Sequence, residues 1–147
     1  MQLQFRKMTF NDIDDVMFIE LEAYPFPWTH GIFKDCIKSK YECWVVEERG
    51  QLVGYMVFTV GAGESHLLNV CVEGSYRRQG IAKILLKRLY QAAFDLGAEA
   101  VFLEVRPSNV SAVDLYRAEG FEQISVRKGY YPGQPHREDA LIFRRPL

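Results

Sequence analysis

A chain of 147 residues that is 48% hydrophobic and 25% charged can bury a core as one domain and is too apolar to be disordered. Its formal net charge of −1 carries no basic excess, so nucleic acid is not the expected partner. No apolar run nears the roughly 18 to 20 residues that cross a bilayer, "MQLQFRKMTF" lacks the regions of an export signal, and neither the three cysteines (Cys36, Cys43, Cys71) nor the three histidines (His30, His66, His136) have metal-ligand spacing. A cytoplasmic protein with reduced thiols, no metal and no membrane partner is therefore expected.

In chain order, "LQFRKM" alternates as a first strand. A helix follows, with a variant capping box at Thr9 and Asp12 and an apolar face of Ile13, Val16, Met17 and Leu21. The prolines of "YPFPW" interrupt it, and Thr29 caps a second helix to about Ile37. "ECWVVEERGQLVGYMVFTV" is two strands around an Arg49-Gly50 hairpin. "ESHLLNVCV" is a nearly continuous apolar strand, expected to be covered on both faces. Ile81, Leu85, Leu89, Ala92 and Leu96 recur at helical spacing, and Gly97 stops that helix. "AVFLEV" is a buried strand holding one carboxylate, Glu104; "SNVSAVDLYRAEG" is a helix capped by Ser108 or Asn109 and stopped by Gly120; "FEQISVRKGYY" and "DALIFRR" are two last strands. No repeat or linker interrupts the chain, so residues 1–147 read as a single mixed α/β (α+β) domain around one sheet.

One junction carries chemistry. "RRQGIA" sits where a strand gives way to a helix, and the unpaired N–H groups and dipole of a helix start favour an anion. Gly80 has no Cβ to keep a phosphate from the backbone, Ala82 keeps the next position small, and Arg77 and Arg78 add charge. A solvated helix start with ordinary surface arginines explains the six residues equally well. A nucleotide P-loop does not, because no Gly-Lys-Ser/Thr follows.

Arg77-Arg78-Gln79-Gly80-Ile81-Ala82 resembles the R/Q-x-x-G-x-G/A signature of the GNAT acetyltransferases. With "PFPW", "LLNVCV", "LEVRPSNVSAVDLYRAEGF" and "YYP…REDALIF" in order, nearly the whole chain is similar to the bacterial ribosomal-protein-alanine N-acetyltransferase family. Glu73-Gly74 departs from the Asp-Pro turn common there, and Ala82 from the more usual glycine. The resemblance implies a GNAT fold. Its central, mostly antiparallel sheet has helices on both faces and splays between "LLNVCV" and "FLEV" to hold acetyl-CoA as cosubstrate. It implies pyrophosphate contacts from Arg77, Arg78, Gln79, Gly80, Ile81, Ala82 and Lys83. Backbone groups of Val70, Cys71 and Val72 would line the cofactor, the Val72 N–H facing the thioester carbonyl, and Asn109 would meet the pantetheine arm. The acceptor implied is the N-terminal alanine of a small-subunit ribosomal protein, attacked directly in a ternary complex by a monomeric enzyme.

Acetyl transfer to an amine needs a proton acceptor, an oxyanion site and a proton for the departing sulfur. Glu104 is the candidate base, and its apolar neighbours are expected to desolvate it in part and raise its pKa; a strand glutamate facing solvent or an arginine such as Arg106 is the plainer reading. Tyr116 is the candidate acid, a phenol that stays protonated near neutral pH; a tyrosine packed beside Leu115 is the alternative. Cys71 has no evident activating base, so a small buried thiol outweighs a covalent nucleophile. The "YPFPW" loop and Tyr130 with Tyr131 are either groove walls or core plugs. An acetyltransferase for lysines or small amines and a non-catalytic acyl-CoA sensor are the competing functions; a pure binder would need neither Glu104 nor Tyr116.

Overall fold

The computed structural model describes residues 1–147. Strand β1 (Leu3–Lys7) passes through a 3₁₀ turn (Phe10–Asp12) into helix α1 (Ile13–Ala23), and helix α2 (His30–Lys38) follows. Next come strands β2 (Glu42–Glu48), β3 (Gln51–Gly61) and β4 (Glu64–Val72), helix α3 (Ile81–Asp95), strand β5 (Ala100–Val105), helix α4 (Val110–Ala118), and strands β6 (Glu122–Tyr131) and β7 (Glu138–Pro146). This is the predicted order. The strands form one open seven-stranded sheet, β1-β2-β3-β4-β5-β7-β6. The pairs β1–β2, β2–β3, β5–β7 and β6–β7 are antiparallel, and β4–β5 is parallel. That parallel ladder runs from Glu64–Ala100 to Leu67–Leu103 and stops, although β4 continues to Val72.

Local chemistry sets several of these boundaries. Arg49 (φ 52°) and Gly50 (φ 77°) both have positive φ, the conformation a tight two-residue hairpin between β2 and β3 requires. The Thr29 hydroxyl accepts from the Ile32 N–H at 3.2 Å to open α2, and Asn109 Oδ1 accepts from Ala112 N–H at 3.3 Å to open α4. Asn109, not Ser108, is the cap. The Ser108 N–H and hydroxyl instead donate to Glu138 at 2.8 and 2.9 Å.

Contacts divide the chain into two compact units, Met1–Thr59 with Leu68–Leu89, and Val60–Leu67 with Tyr90–Leu147. In the first, Met8, Ile13, Val16, Phe33, Val45, Tyr55, Val57 and Cys71 share one core cluster. In the second, alternation along β5 buries Val101, Leu103 and Val105, and Phe143, Phe121 and Tyr116 are buried too.

Three sequence expectations give way. Leu21 is 60% exposed, and the inward position on α1 belongs to Glu20, which continues the spacing from Ile13 and Val16. Helix α3 ends at Asp95, so Leu96 lies past its last turn and is exposed, while Ala93 rather than Ala92 is buried. Strand β4 is not covered on both faces along its length. Its first half alternates, with Glu64, His66 and Leu68 exposed and Ser65 and Leu67 buried.

Asp12 is buried, and its carboxylate accepts from Arg6 Nη1 and Nη2, both at 2.8 Å, and from the Thr9 N–H at 2.8 Å. The Arg6 bonds, working against burial, hold Asp12 below the usual carboxylate range. A carboxylate whose folded pKa is depressed stabilises the fold above its unfolded pKa and loses that contribution as pH falls through the folded value. Urea unfolding is expected to show wild-type stability declining below about pH 4. Asp12→Asn is expected to be less stable at pH 7 and to vary less across that acid window; parallel pH profiles would remove Asp12 from the acid response.

Candidate active site

The strand–loop–helix from Val70 to Lys83 is continuous within the first unit. At its entry the Glu73 N–H donates to the Val53 carbonyl at 2.8 Å, and the Glu73 carboxylate accepts from the Ser75 N–H at 3.0 Å and from the Ser75 hydroxyl. Glu73-Gly74 therefore makes its own turn in place of Asp-Pro. Arg78 (φ 62°) and Gly80 (φ 81°) both have positive φ, and their neighbours curl the chain into the helix start. The first bond of α3 runs from the Ile84 N–H to the Gly80 carbonyl at 3.1 Å. The N–H groups of Ile81, Ala82 and Lys83 thus have no acceptor within the helix. A Cβ at Gly80 would meet no atom within 4 Å. Open space beside three unpaired donors, with exposed Arg77 and Arg78 nearby in sequence, fits a diphosphate. Ile81 turns its side chain into the core, so it offers only backbone.

Before this loop, β4 is held by side chains from elsewhere in its unit. The Tyr24 hydroxyl donates to the Val70 carbonyl at 2.8 Å. Cys71 is buried, and burial pushes its thiol up from the ordinary value. Gly54 of β3 allows a close approach there, since a Cβ on it would lie 3.0 Å from the Cys71 carbonyl oxygen. Beside them sits a residue that sequence reading passes over. Glu20 is 1% exposed. Its Oε1 accepts from the Tyr55 hydroxyl at 2.6 Å and Asn69 Nδ2 at 2.9 Å, and its Oε2 accepts from the Trp28 N–H at 2.9 Å. The one available signal is its place at i+7 from Ile13 on the apolar face.

The second unit contains Glu104, Asn109 and Tyr116. Glu104 leaves the buried face of β5 by alternation, and its side chain is 32% exposed. Enclosure by apolar neighbours is thus only partial, and an arginine does meet it. That arginine is Arg127 of β6, with Nη1 at 3.3 Å from Oε1. Arg106 instead meets Glu138 at 3.1 Å, the Pro132 carbonyl at 2.8 Å and the Tyr131 ring at 4.4 Å. Hydrogen bonding to Glu104, with burial second, raises the Tyr130 phenol above its ordinary value, so Tyr130 stays protonated beside the carboxylate. Arg127 also lies over the Tyr130 ring at 4.6 Å. Sequence reading misses Arg127 because it reaches Glu104 across β7, through pairings that only the sheet register defines.

Tyr116 is 7% exposed on α4, edge-on to Phe121 at 5.6 Å. The Asn109 side-chain oxygen is committed to its cap, which leaves the amide nitrogen as the group with donors to offer. Glu138 and Asp139 are paired with Arg106 and Lys128.

The profile of the acetyltransferase (GNAT) family matches residues 12–121. The chain is 32% identical over 136 residues to the [ribosomal protein bS18]-alanine N-acetyltransferase of Escherichia coli strain K12, covering 92% of each chain. It is likewise 32% identical over 139 residues to a putative [ribosomal protein bS18]-alanine N-acetyltransferase of Bacillus subtilis, covering 93% of this chain and 91% of that protein. Among solved structures, the Escherichia coli ribosomal-protein-S18-alanine N-acetyltransferase superposes with a TM-score of 0.91 at 30% identity, covering 99% of this chain and 94% of the other. The open sheet with its parallel β4–β5 pair, the Arg77–Ala82 loop that opens α3 and these likenesses together place the chain in the GNAT acetyltransferase family.

Proposed function

We propose that this acetyltransferase modifies the α-amine of an N-terminal alanine on a ribosomal protein, with protein bS18 as the acceptor. What carries the reading is the likeness, across nearly the full length of both chains, to enzymes named for that substrate. No helix is long and apolar enough to cross a membrane.

Acetyl-CoA supplies the activated acetyl group when bound. The chain's own residues do the rest. The N–H groups of Ile81, Ala82 and Lys83 and the side chains of Arg77, Arg78 and Gln79 hold the diphosphate. The backbone of Val70, Cys71 and Val72 and the amide nitrogen of Asn109 hold the pantetheine arm, and the Val72 N–H polarises the reacting carbonyl. Glu104 takes the proton from the acceptor amine, directly or through one water, while Arg127 and Tyr130 hold the carboxylate in place. Tyr116 Oη holds the proton that the departing sulfur requires. The raised Cys71 thiol carries little thiolate, which favours direct attack by the amine over a thioester on the protein.

Peptides beginning with alanine, with free or blocked N-termini and one internal lysine, are to be incubated with acetyl-CoA and mapped by mass spectrometry. Acetylation is expected on the free α-amine alone. Modification of lysine Nζ, or of blocked peptides, would sink the alanine assignment.

Gly80→Trp is expected to abolish coenzyme A binding in calorimetry while the far-UV spectrum keeps its helical signal, since the indole would fill the open space beside the helix start. Unchanged affinity would move the diphosphate elsewhere.

Glu104→Gln is expected to lower kcat by about 10²–10⁴ at neutral pH, the usual contribution of a general base. Activity should partly recover above the amine pKa of about 8, where the amine is already neutral. Tyr116→Phe should likewise slow turnover without weakening acetyl-CoA binding, because only a proton donor is removed. A normal kcat in either variant, with chemistry rate-limiting, would return that residue to a packing role.

A further inference from the structure

The buried carboxylate of Glu20 has no part in the chemistry above, yet it is the most enclosed charged side chain of the protein at 1% exposure. Burying a carboxylate is costly, and an apolar side chain of similar volume generally serves stability as well or better. Glu20 continues the apolar face of α1, so leucine or methionine would satisfy the core. What only a carboxylate offers is acceptor capacity on both oxygens and no donor. The three groups aimed at it are all donors: the Tyr55 hydroxyl from β3, Asn69 Nδ2 from β4, and the Trp28 backbone N–H from the segment between α1 and α2. One side chain on α1 thus ties a core strand, the strand entering the cofactor loop and an irregular proline-containing segment.

That segment is held by side chains as well as by its own backbone. Between Tyr24 and Thr29 it forms no helix or strand, and its prolines lack N–H groups. Its contacts include the Tyr24 N–H on the Glu20 carbonyl at 3.2 Å, the Tyr24 hydroxyl on the Val70 carbonyl, the Trp28 ring against Phe33 at 5.1 Å, and the Trp28 N–H on the Glu20 carboxylate. At Trp28 the ring meets Phe33 and the backbone N–H meets the Glu20 carboxylate. Phe26, two residues earlier, is left 42% exposed at the surface of the same loop.

We infer that Glu20 is a positioning residue for the acceptor: through the Trp28 N–H and Asn69 it sets the Tyr24–Trp28 loop against β4, so that the loop presents one fixed wall to the incoming peptide. This rests on the proposed reading of the protein as an acetyltransferase for peptide N-termini. The residue acts through the loop and touches no reacting atom.

The test is Glu20→Gln beside the exchanged pair Glu20→Gln/Asn69→Asp, in the full chain. The single variant keeps one acceptor oxygen and puts an amide donor where the other stood, so the Trp28 N–H, the Tyr55 hydroxyl and the Asn69 amide can no longer all donate to this position. The double variant restores a donor–acceptor match with the roles reversed. The single variant is expected to raise KM for the alanine peptide about tenfold, the factor that ~1.4 kcal/mol of lost binding represents, with KM for acetyl-CoA unchanged. Its Trp28 amide is expected to exchange with deuterium faster than in the wild type, and the double variant to recover both readings. A parallel rise in both KM values, or no recovery in the double variant, would reduce Glu20 to a packing residue. Should Glu20→Gln lose its cooperative melt, Tyr55→Phe keeps the carboxylate and removes one donor; it is expected to raise the same peptide KM, and an unchanged value there overturns the proposal. If the wild type acetylates lysine or a small amine instead, the acceptor reading fails on that result alone. Unchanged Trp28 exchange in Glu20→Gln overturns the positioning role whichever acceptor is used.

Discussion

Strand β4 loses its parallel neighbour after Leu67 while its backbone runs on to Val72, and much of the molecule answers that single constraint. Backbone polar groups away from water need partners. On its other side β4 keeps β3 as a hydrogen-bonded neighbour. Beyond Leu67 the Val70 carbonyl takes the Tyr24 hydroxyl, and just past the strand the Glu73 N–H finds the Val53 carbonyl of β3. A strand held in this way keeps its direction without completing a ladder on its β5 side. It then delivers the chain into a loop whose positive-φ residues, Arg78 and Gly80, leave three helix N–H groups unpaired. The ladder that stops at Leu67 and the unpaired helix start are two places where backbone pairing within the fold is incomplete, and the proposed reading brings acetyl-CoA to them.

What could be read ahead of the structure was what local chemistry decides. The Arg49-Gly50 hairpin and the Thr29 cap both follow from two to four neighbouring residues, and each appears where the spacing puts it. The loop at Arg77–Ala82 belongs with them, because Gly80 and the strand-to-helix change are adjacent in sequence. The face of α1 was legible only in part. Periodicity finds the position of Glu20 but, seeing a charge there, passes the inward place to Leu21, which the structure leaves in solvent. The partners that make a buried carboxylate tolerable come from Trp28, Tyr55 and Asn69, eight to forty-nine residues away. No local pattern announces such a set.

Arg127 teaches the same lesson from the other side. Strand β6 lies at the sheet edge and its exposed run of residues reads as an ordinary solvated strand. Its arginine gains meaning only once β7 is known to lie between β6 and β5. Ile142 of β7 pairs with both Glu104 and Ser125, and Arg127 stands two residues beyond Ser125 on the same face. A long side chain can then cross β7 and reach the carboxylate. Glu104 is therefore held by a pair of contacts, to Arg127 and Tyr130, that neither the strand "VFLEV" nor its apolar neighbours contain.

The two carboxylates end in opposite circumstances, and the contrast bears on how the proposed reaction divides its labour. Glu20 is sealed with three fixed donors and holds structure. Glu104 is a third exposed, with one cation at 3.3 Å, and can meet water or an amine. A base must exchange a proton with something that arrives and leaves, so partial exposure suits it better than the enclosed strand position implied by its neighbours. The thiol of Cys71 completes the division. Burial raises it, so the chain keeps a sulfur on β4 without keeping a thiolate there. With no activated nucleophile of its own on that strand, the protein's contribution under the proposed reading is to hold two substrates and to place proton acceptors and donors beside them, leaving the attack to the incoming amine.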